Sequence, residues 1–160
     1  MNSNRSVNTP RHARIYLEQG MYEGMSIDKV PNGRGSLVYK RGSLASWKFK
    51  GDFLNGQIHG QGTLYDENNT PRYTGDWQDG RKSGHGKEFS KGGKIKYDGY
   101  WDNGKQDGYG TKYRDNGVDK IYQGEIFMDK RNGEGTEYSN LGLPIYSGYW
   151  ENDRKSKIQN

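Results

Sequence analysis

The sequence predicts an all-β protein: an elongated, open-ended, single-layer antiparallel sheet of consecutive β-hairpins, with little or no helix. Three observations predict it. Only 29% of the 160 residues are hydrophobic, well below the about 45–50% of an ordinary globular domain. Much of that share is aromatic, with 13 Tyr, 4 Trp and 4 Phe beside 25 Gly. Finally, glycines and aromatics recur in one register along nearly the whole chain, the signature of a repeat architecture. Aliphatic residues to fill a two-layer core are missing, yet disordered chains are poor in aromatics. An ordered but thin structure satisfies both.

The stretch YDGYWDNGKQDGYGTKY, residues 97–113, shows the unit. With Gly99 as position zero, Tyr97 lies at minus two, Trp101 at plus two, Gly104 at plus five, Gly108 and Gly110 at plus nine and plus eleven, and Tyr113 at plus fourteen. Gly51 gives Phe49, Phe53, Gly56, Gly60, Gly62 and Tyr65. Gly75 gives Tyr73, Trp77, Gly80, Gly84, Gly86 and Phe89. Gly124 gives Tyr122, Ile126, Asp129, Gly133, Gly135 and Tyr138. The Gly24 copy is looser, with Ser26, Lys29 and Val38 in place of the pattern residues, and Gly148 opens a sixth copy with Tyr146 and Trp150. Repeats therefore start near residues 22, 49, 73, 97, 122 and 146.

Residues 1–12 are expected to form a flexible basic tail, 13–152 a single repeat domain, and 153–160 a second basic tail. ARIYLEQG, residues 13–20, reads as the last strand of half a repeat; the alternative is a short helix with Thr9 as N-cap and Pro10 in its first turn. In each repeat the residues at minus two, zero and plus two share one face of a strand. NG at 55–56 and 103–104 and DG at 79–80 mark a hairpin turn, its type left open because Asp129 and Asp153 replace the glycine. A second strand follows, and Gly42, Asn69, Gly93, Gly117 and Gly142 at plus eighteen mark a turn with positive φ. Three extra residues before Phe49 predict a bulge or longer loop. About twelve strands would make a sheet on the order of 50–60 Å long before twist. Large rings in a single layer need a gap to lie in, and a glycine on the same face supplies it. Gly51, Gly62, Gly75, Gly86, Gly99, Gly110, Gly124 and Gly135 are the glycines expected to serve this way.

Most catalytic chemistry is excluded by type or spacing. Zero cysteines leave no disulfide, thiolate metal site or Cys nucleophile. The net charge of +5 is spread over 25 basic and 20 acidic residues, which predicts no nucleic-acid partner. The acid-free N-terminus is compatible with a transit peptide, though a basic tail is the simpler reading. Five Gly-x-Gly steps in register read as architecture rather than as a phosphate cradle, because none carries the following Lys-Ser/Thr. His12, His59 and His85 fall at unrelated positions, so no metal site is expected. Asp52, Asp76 and Glu125, with Tyr100, share the plus-one position, which reads as a solvated face rather than as paired catalytic carboxylates. DENN at 66–69 lacks the glycine and terminal Glu of a calcium loop. The expectation is no enzyme and no cofactor.

The pattern Tyr-x-Gly-x-Trp-x-x-Gly-x-x-x-Gly-x-Gly resembles the MORN (membrane occupation and recognition nexus) repeat over roughly residues 22–150. The resemblance implies a non-catalytic cytoplasmic scaffold or adaptor in cytoskeletal, ciliary or membrane-proximal assemblies, or a segment regulating an enzyme on a partner chain. Its residues suggest an aromatic-lined groove of Phe53, Trp77, Trp101, Tyr113, Tyr138 and Trp150, docking an apolar peptide or helix of a partner protein. The alternative is an anionic, phosphoinositide-bearing membrane surface met by Arg81, Lys82, Lys94 and Lys96. Homo-oligomerisation through an open sheet edge is a further expectation.

Overall fold

The computed structural model describes residues 9–156. Thirteen strands form one antiparallel sheet in strict sequence order. They are β1 (Arg11–Tyr16), β2 (Gly20–Ile27), β3 (Val30–Tyr39), β4 (Lys48–Leu54), β5 (Gln57–Tyr65), β6 (Pro71–Gln78), β7 (Arg81–Phe89), β8 (Ile95–Asp102), β9 (Lys105–Tyr113), β10 (Lys120–Phe127), β11 (Lys130–Tyr138), β12 (Pro144–Glu151) and β13 (Arg154–Lys155). Residues 11–16 are thus a strand, not a helix. β1 pairs with β2 so that Ala13 faces Gly24, the place that a plus-eleven glycine takes in every later repeat. β1 begins inside the expected N-terminal tail and β13 lies inside the expected C-terminal one. The remainder of both tails, residues 1–8 and 157–160, falls outside the described residues.

The hairpin turn inside each repeat has positive φ at both central residues, including Asn55-Gly56, Asp79-Gly80 and Asn103-Gly104, the requirement of a type I′ turn. Asp28-Lys29, Met128-Asp129 and Asn152-Asp153 adopt the same pair of angles without glycine. Two of these substitutions bring a compensating bond. Asp129 Oδ1 accepts from the Gln106 N–H at 2.9 Å, and Asp153 Oδ1 from the Arg131 N–H at 3.0 Å, tying each turn to the hairpin before it. The plus-eighteen residues also have positive φ, Asn69 at 61° among them. The longer first repeat places its extra residues around a short 3-10 turn at Gly42–Leu44, which brings Trp47 against the core.

The core is a single line of rings along one face. Tyr22, Phe49, Tyr73, Tyr97 and Tyr122 have no solvent exposure. Each ring at minus two lies where a plus-eleven side chain would stand: a Cβ at Gly62, Gly86, Gly110 or Gly135 would come within 2.1–2.3 Å of it. Rings also meet edge to face. Within a repeat, Tyr97 and Trp101 are 5.3 Å apart; between repeats, Tyr73 and Trp101 are 5.3 Å apart. The ladder runs unbroken from Tyr22 to Tyr97, is interrupted at Ile126, and resumes with Tyr122, Trp150 and Tyr146.

Candidate functional site

The face carrying the ring ladder is sealed. Phe53, Trp77, Trp101 and Trp150, expected to offer exposed surface, are all buried. The indole N–H groups of Trp77, Trp101 and Trp150 each donate at 3.1 Å to the plus-eleven carbonyl of the preceding repeat, at Gly62, Gly86 and Gly135. Above the rings lie the side chains at plus seven and plus thirteen. In the N-terminal repeats these are Pro31, Leu37, Ile58 and Leu64, all buried. Toward the C-terminus they are charged: Lys82 Nζ sits 4.3 Å above the Trp101 ring and 3.0 Å from Glu88, and Arg131 sits 3.9 Å above Trp150 and 3.4 Å from Glu137. Long aliphatic stems cover the rings while the heads pair with one another. The hydrogen bond from Lys155 holds the Glu137 carboxyl below its usual range, and burial lowers the Lys112 ammonium in the same row. A single layer is thus roofed by its own side chains. The sequence-level groove fails because plus-seven and plus-thirteen residues vary in type, so no repeating letter flags them as a lid.

Tyr113 and Tyr138, placed in the same groove by the sequence, belong to the opposite face. The Tyr138 hydroxyl donates to Gln123 Oε1 at 3.3 Å, beside the Lys120 ammonium over its ring. Tyr113, one residue past the ladder-face Lys112, follows by alternation along its strand. This second face also carries aromatics that solvent reaches in the C-terminal half: Tyr100, Tyr109 and Tyr149 are 52%, 54% and 48% exposed, while Tyr16 of β1 and Phe127 beside a hairpin turn are exposed as well. The first three stand in cross-strand pairs, Tyr100 with His85, Tyr109 with Glu125 and Tyr149 with Glu134. The His85 and Tyr100 rings meet edge to face at 5.6 Å, and His85 Nε2 lies 3.1 Å from Asp98.

The plus-one acids on this face do more than meet solvent. Each hairpin shifts register between positions zero and plus two, a bulge. Asp52, Asp76 and Glu125 there accept the plus-ten N–H of Gln61, His85 and Glu134 at 3.1, 2.9 and 3.0 Å. The plus-nine glycines, Gly84 at φ 58° among them, provide the positive φ, and a Cβ there would press against the acid. A period-locked acid eight residues before a period-locked glycine was the available signal.

Arg81, Lys82, Lys94 and Lys96 do not form one patch. Arg81 and Lys82 flank the hairpin turn that begins β7, whereas Lys94 and Lys96 lie by the inter-repeat turn that begins β8, at the other long edge of the ribbon. Arg81 donates to Asn103 Oδ1 at 3.2 Å, and Lys82 belongs to the roof over Trp101. The DENN acid Asp66 is buried and accepts the N–H groups of Asn68 and Thr70, which makes it a turn builder. Among the described residues no group of three or more His, Asp or Glu is placed to hold a metal ion, and no helix is long and apolar enough to cross a membrane.

These features define a class of protein: a single-sheet array of stacked hairpin repeats with a sealed ring ladder on one face and a tyrosine-bearing polar face on the other. The sequence profile of the MORN repeat matches residues 22–44, 49–70, 73–94, 97–118 and 122–140. The chain belongs to the MORN-repeat family. It is also similar to the inactive protein tyrosine kinase pTKL of Plasmodium berghei (strain Anka), 35% identical over 71 residues. That alignment takes in 44% of this chain and 5% of the relative, so the chain corresponds to a small part of that protein's length.

Proposed function

We propose that this protein is a non-catalytic scaffold that binds a partner protein through the polar face of its C-terminal half, with Tyr100, Tyr109 and Tyr149 as anchors. The observation that carries this reading is the division of aromatics between faces. The ladder rings are consumed by packing, while three tyrosines on the other face stand about half exposed among His85, Glu125 and Glu134. Tyrosine brings large contact area, a polar tip and few rotors to lose, which is why interfaces favour it. Rigid presentation follows from the cross-strand ladder beneath.

Affinity capture with the full chain, compared with a Tyr100→Ala/Tyr109→Ala variant and with Lys82→Ala on the ladder face, tests this. The expected result is a partner retained by the wild type and by Lys82→Ala but lost by the tyrosine variant. A partner lost only by Lys82→Ala would return docking to the ladder face. Salt-sensitive flotation with anionic vesicles and no protein partner would favour the membrane alternative instead.

A further inference from the structure

The stretch KRGSLASWK, residues 40–48, stands outside the repeat pattern and holds three cations and no acid. It lies within a longer run, residues 29–51, that carries Lys29, Arg34, Lys40, Arg41, Lys48 and Lys50 without one Asp or Glu. Five hydroxyl residues of the chain have Lys or Arg two positions before them: Ser36, Ser43, Thr74, Ser83 and Ser156. Two have one three positions before, Ser43 and Ser90. Ser43 alone has both, in Lys40 and Arg41, and the apolar Leu44 follows it. A protein kinase that selects basic substrates sets carboxylates against cations at those two places, so this is the charge pattern such an enzyme reads.

The fold supplies an internal comparison, because RGSL occurs twice, at 34–37 and at 41–44. In the first copy Ser36 lies inside β3, paired with Glu23 on one side and Lys50 on the other, and Leu37 is buried in the core. A kinase must draw its substrate into a cleft as extended chain, and this copy could be drawn out only by tearing the sheet. The second copy lies in the connection from β3 to β4, eight residues from Lys40 to Trp47. Lys40, Arg41, Gly42 and Ser43 are all exposed there, and the 3-10 turn Gly42–Leu44 buries no residue.

Little holds that turn closed. Among the described residues its backbone bonds are those from the Ala45 N–H to the Gly42 carbonyl, 3.1 Å, and from the Trp47 N–H to the Leu44 carbonyl, 2.8 Å. A Cβ on Gly42 would meet nothing within 4 Å, so the space around the turn is open. Its two ends are fixed: the Lys40 N–H donates to the Gln19 carbonyl at 2.9 Å, and Trp47 packs against the core. The segment can therefore open between them without disturbing the ring ladder. Ser46 is exposed as well, but its φ is 68° and its N–H is tied to the Tyr39 carbonyl at 2.9 Å. It also lacks both cations at the required spacing.

We propose that Ser43 is a phosphorylation site for a basic-directed serine/threonine protein kinase that uses ATP. Ser43 Oγ attacks the γ-phosphorus, and the new Oγ–P bond forms as the bond to the bridging β,γ-oxygen breaks. ADP leaves with that electron pair, and the hydroxyl proton passes to the kinase's own carboxylate base. The product brings about −1.5 to −2 charges at pH 7 to a run that held six cations and no acid.

The test incubates the full chain with magnesium and ATP. The catalytic subunit of cyclic-AMP-dependent protein kinase is the basic-directed probe, and an acid-directed casein kinase is the counter-probe. Tandem mass spectrometry locates the phosphate. A single phosphate on Ser43 is expected, absent from Ser43→Ala and undiminished in Ser36→Ala. Arg41→Gln should lower kcat/KM by about tenfold or more through loss of a charge-assisted contact. Because Arg41 is exposed, the far-ultraviolet dichroism of that variant should match the wild type. No phosphate, phosphate on another residue, a rate unchanged by Arg41→Gln, or equally fast labelling by the acid-directed kinase would overturn the proposal. So would equal labelling of Ser36 and Ser43, which would show that the kinase had met an unfolded chain.

Discussion

At the scale of single residues, one hydroxyl explains why the minus-two position prefers tyrosine to phenylalanine. The bulge turns the plus-one carbonyl of each hairpin toward the ring face, where the tyrosine three residues earlier meets it. Tyr73, Tyr97, Tyr122 and Tyr146 donate to the carbonyls of Asp76, Tyr100, Glu125 and Tyr149 at 3.0, 3.0, 2.8 and 2.8 Å. Phe49 holds the same buried place without a hydroxyl. Tyr97→Phe should therefore destabilise the fold by about 1 kcal/mol, and Phe49→Tyr should stabilise it by up to about 1 kcal/mol by reaching the Asp52 carbonyl. Urea midpoints of the two variants measure this, and an unchanged midpoint in Tyr97→Phe would show that the bond contributes nothing net. The sequence reveals the ring and the glycine beneath it because both recur with the period. It conceals the bulge, since an extra residue present in every copy leaves the period unchanged. Hence Asp52, Asp76 and Glu125 read as solvated acids when they are clamps.

At the scale of strands and repeats, the ladder divides the array into two cooperative blocks. Trp101 lies inside the longer block, in ring contact with Tyr73 and Tyr97 and bonded to the Gly86 carbonyl. Trp150 belongs to the shorter one, with Tyr122 and Tyr146. Repeats are stabilised by nearest-neighbour interfaces, so damage should stay near its origin. Trp101→Ala, a buried aromatic truncation costing about 3–5 kcal/mol, should raise hydrogen exchange through β6–β9 on both sides of the lesion. Trp150→Ala should release β11–β13 and leave β4–β8 protected. Uniform loss of protection in either variant would contradict the block description. Strand order, hairpins and turns were legible because alternation and NG or DG steps are local signals. The face of Tyr113 and Tyr138 was not, because it depends on counting residues across a register shift that the sequence does not mark. Nor was the roof legible: Lys82 over Trp101 and Arg131 over Trp150 are contacts between residues 19 apart in sequence, in adjacent repeats.

At the scale of the whole molecule, a core made largely of phenols has a consequence that an aliphatic core lacks. Burial pushes Tyr22 and Tyr122 up to about 12 and raises Tyr73 and Tyr97 in the same direction. An unfolded tyrosine ionises near 10. Between those values the folded chain keeps protons that the unfolded chain has released, so stability falls as pH rises. The stabilisation is complete below pH about 10 and is lost progressively up to about 12, with Tyr22, Tyr73, Tyr97 and Tyr122 contributing to the slope. The urea midpoint should therefore be level between pH about 7 and 9 and drop steeply above pH about 10. Phenolate absorbance of the ladder should appear together with loss of the far-ultraviolet dichroism, because a buried ring ionises only when its strand leaves the sheet. Tyr97→Phe removes one of these groups, so its midpoint should fall less steeply with pH even though it starts lower at neutrality. A sheet signal that persists while Tyr22, Tyr73, Tyr97 and Tyr122 ionise would mean that the ring line is open to solvent and that the roof of plus-seven and plus-thirteen side chains does not seal it.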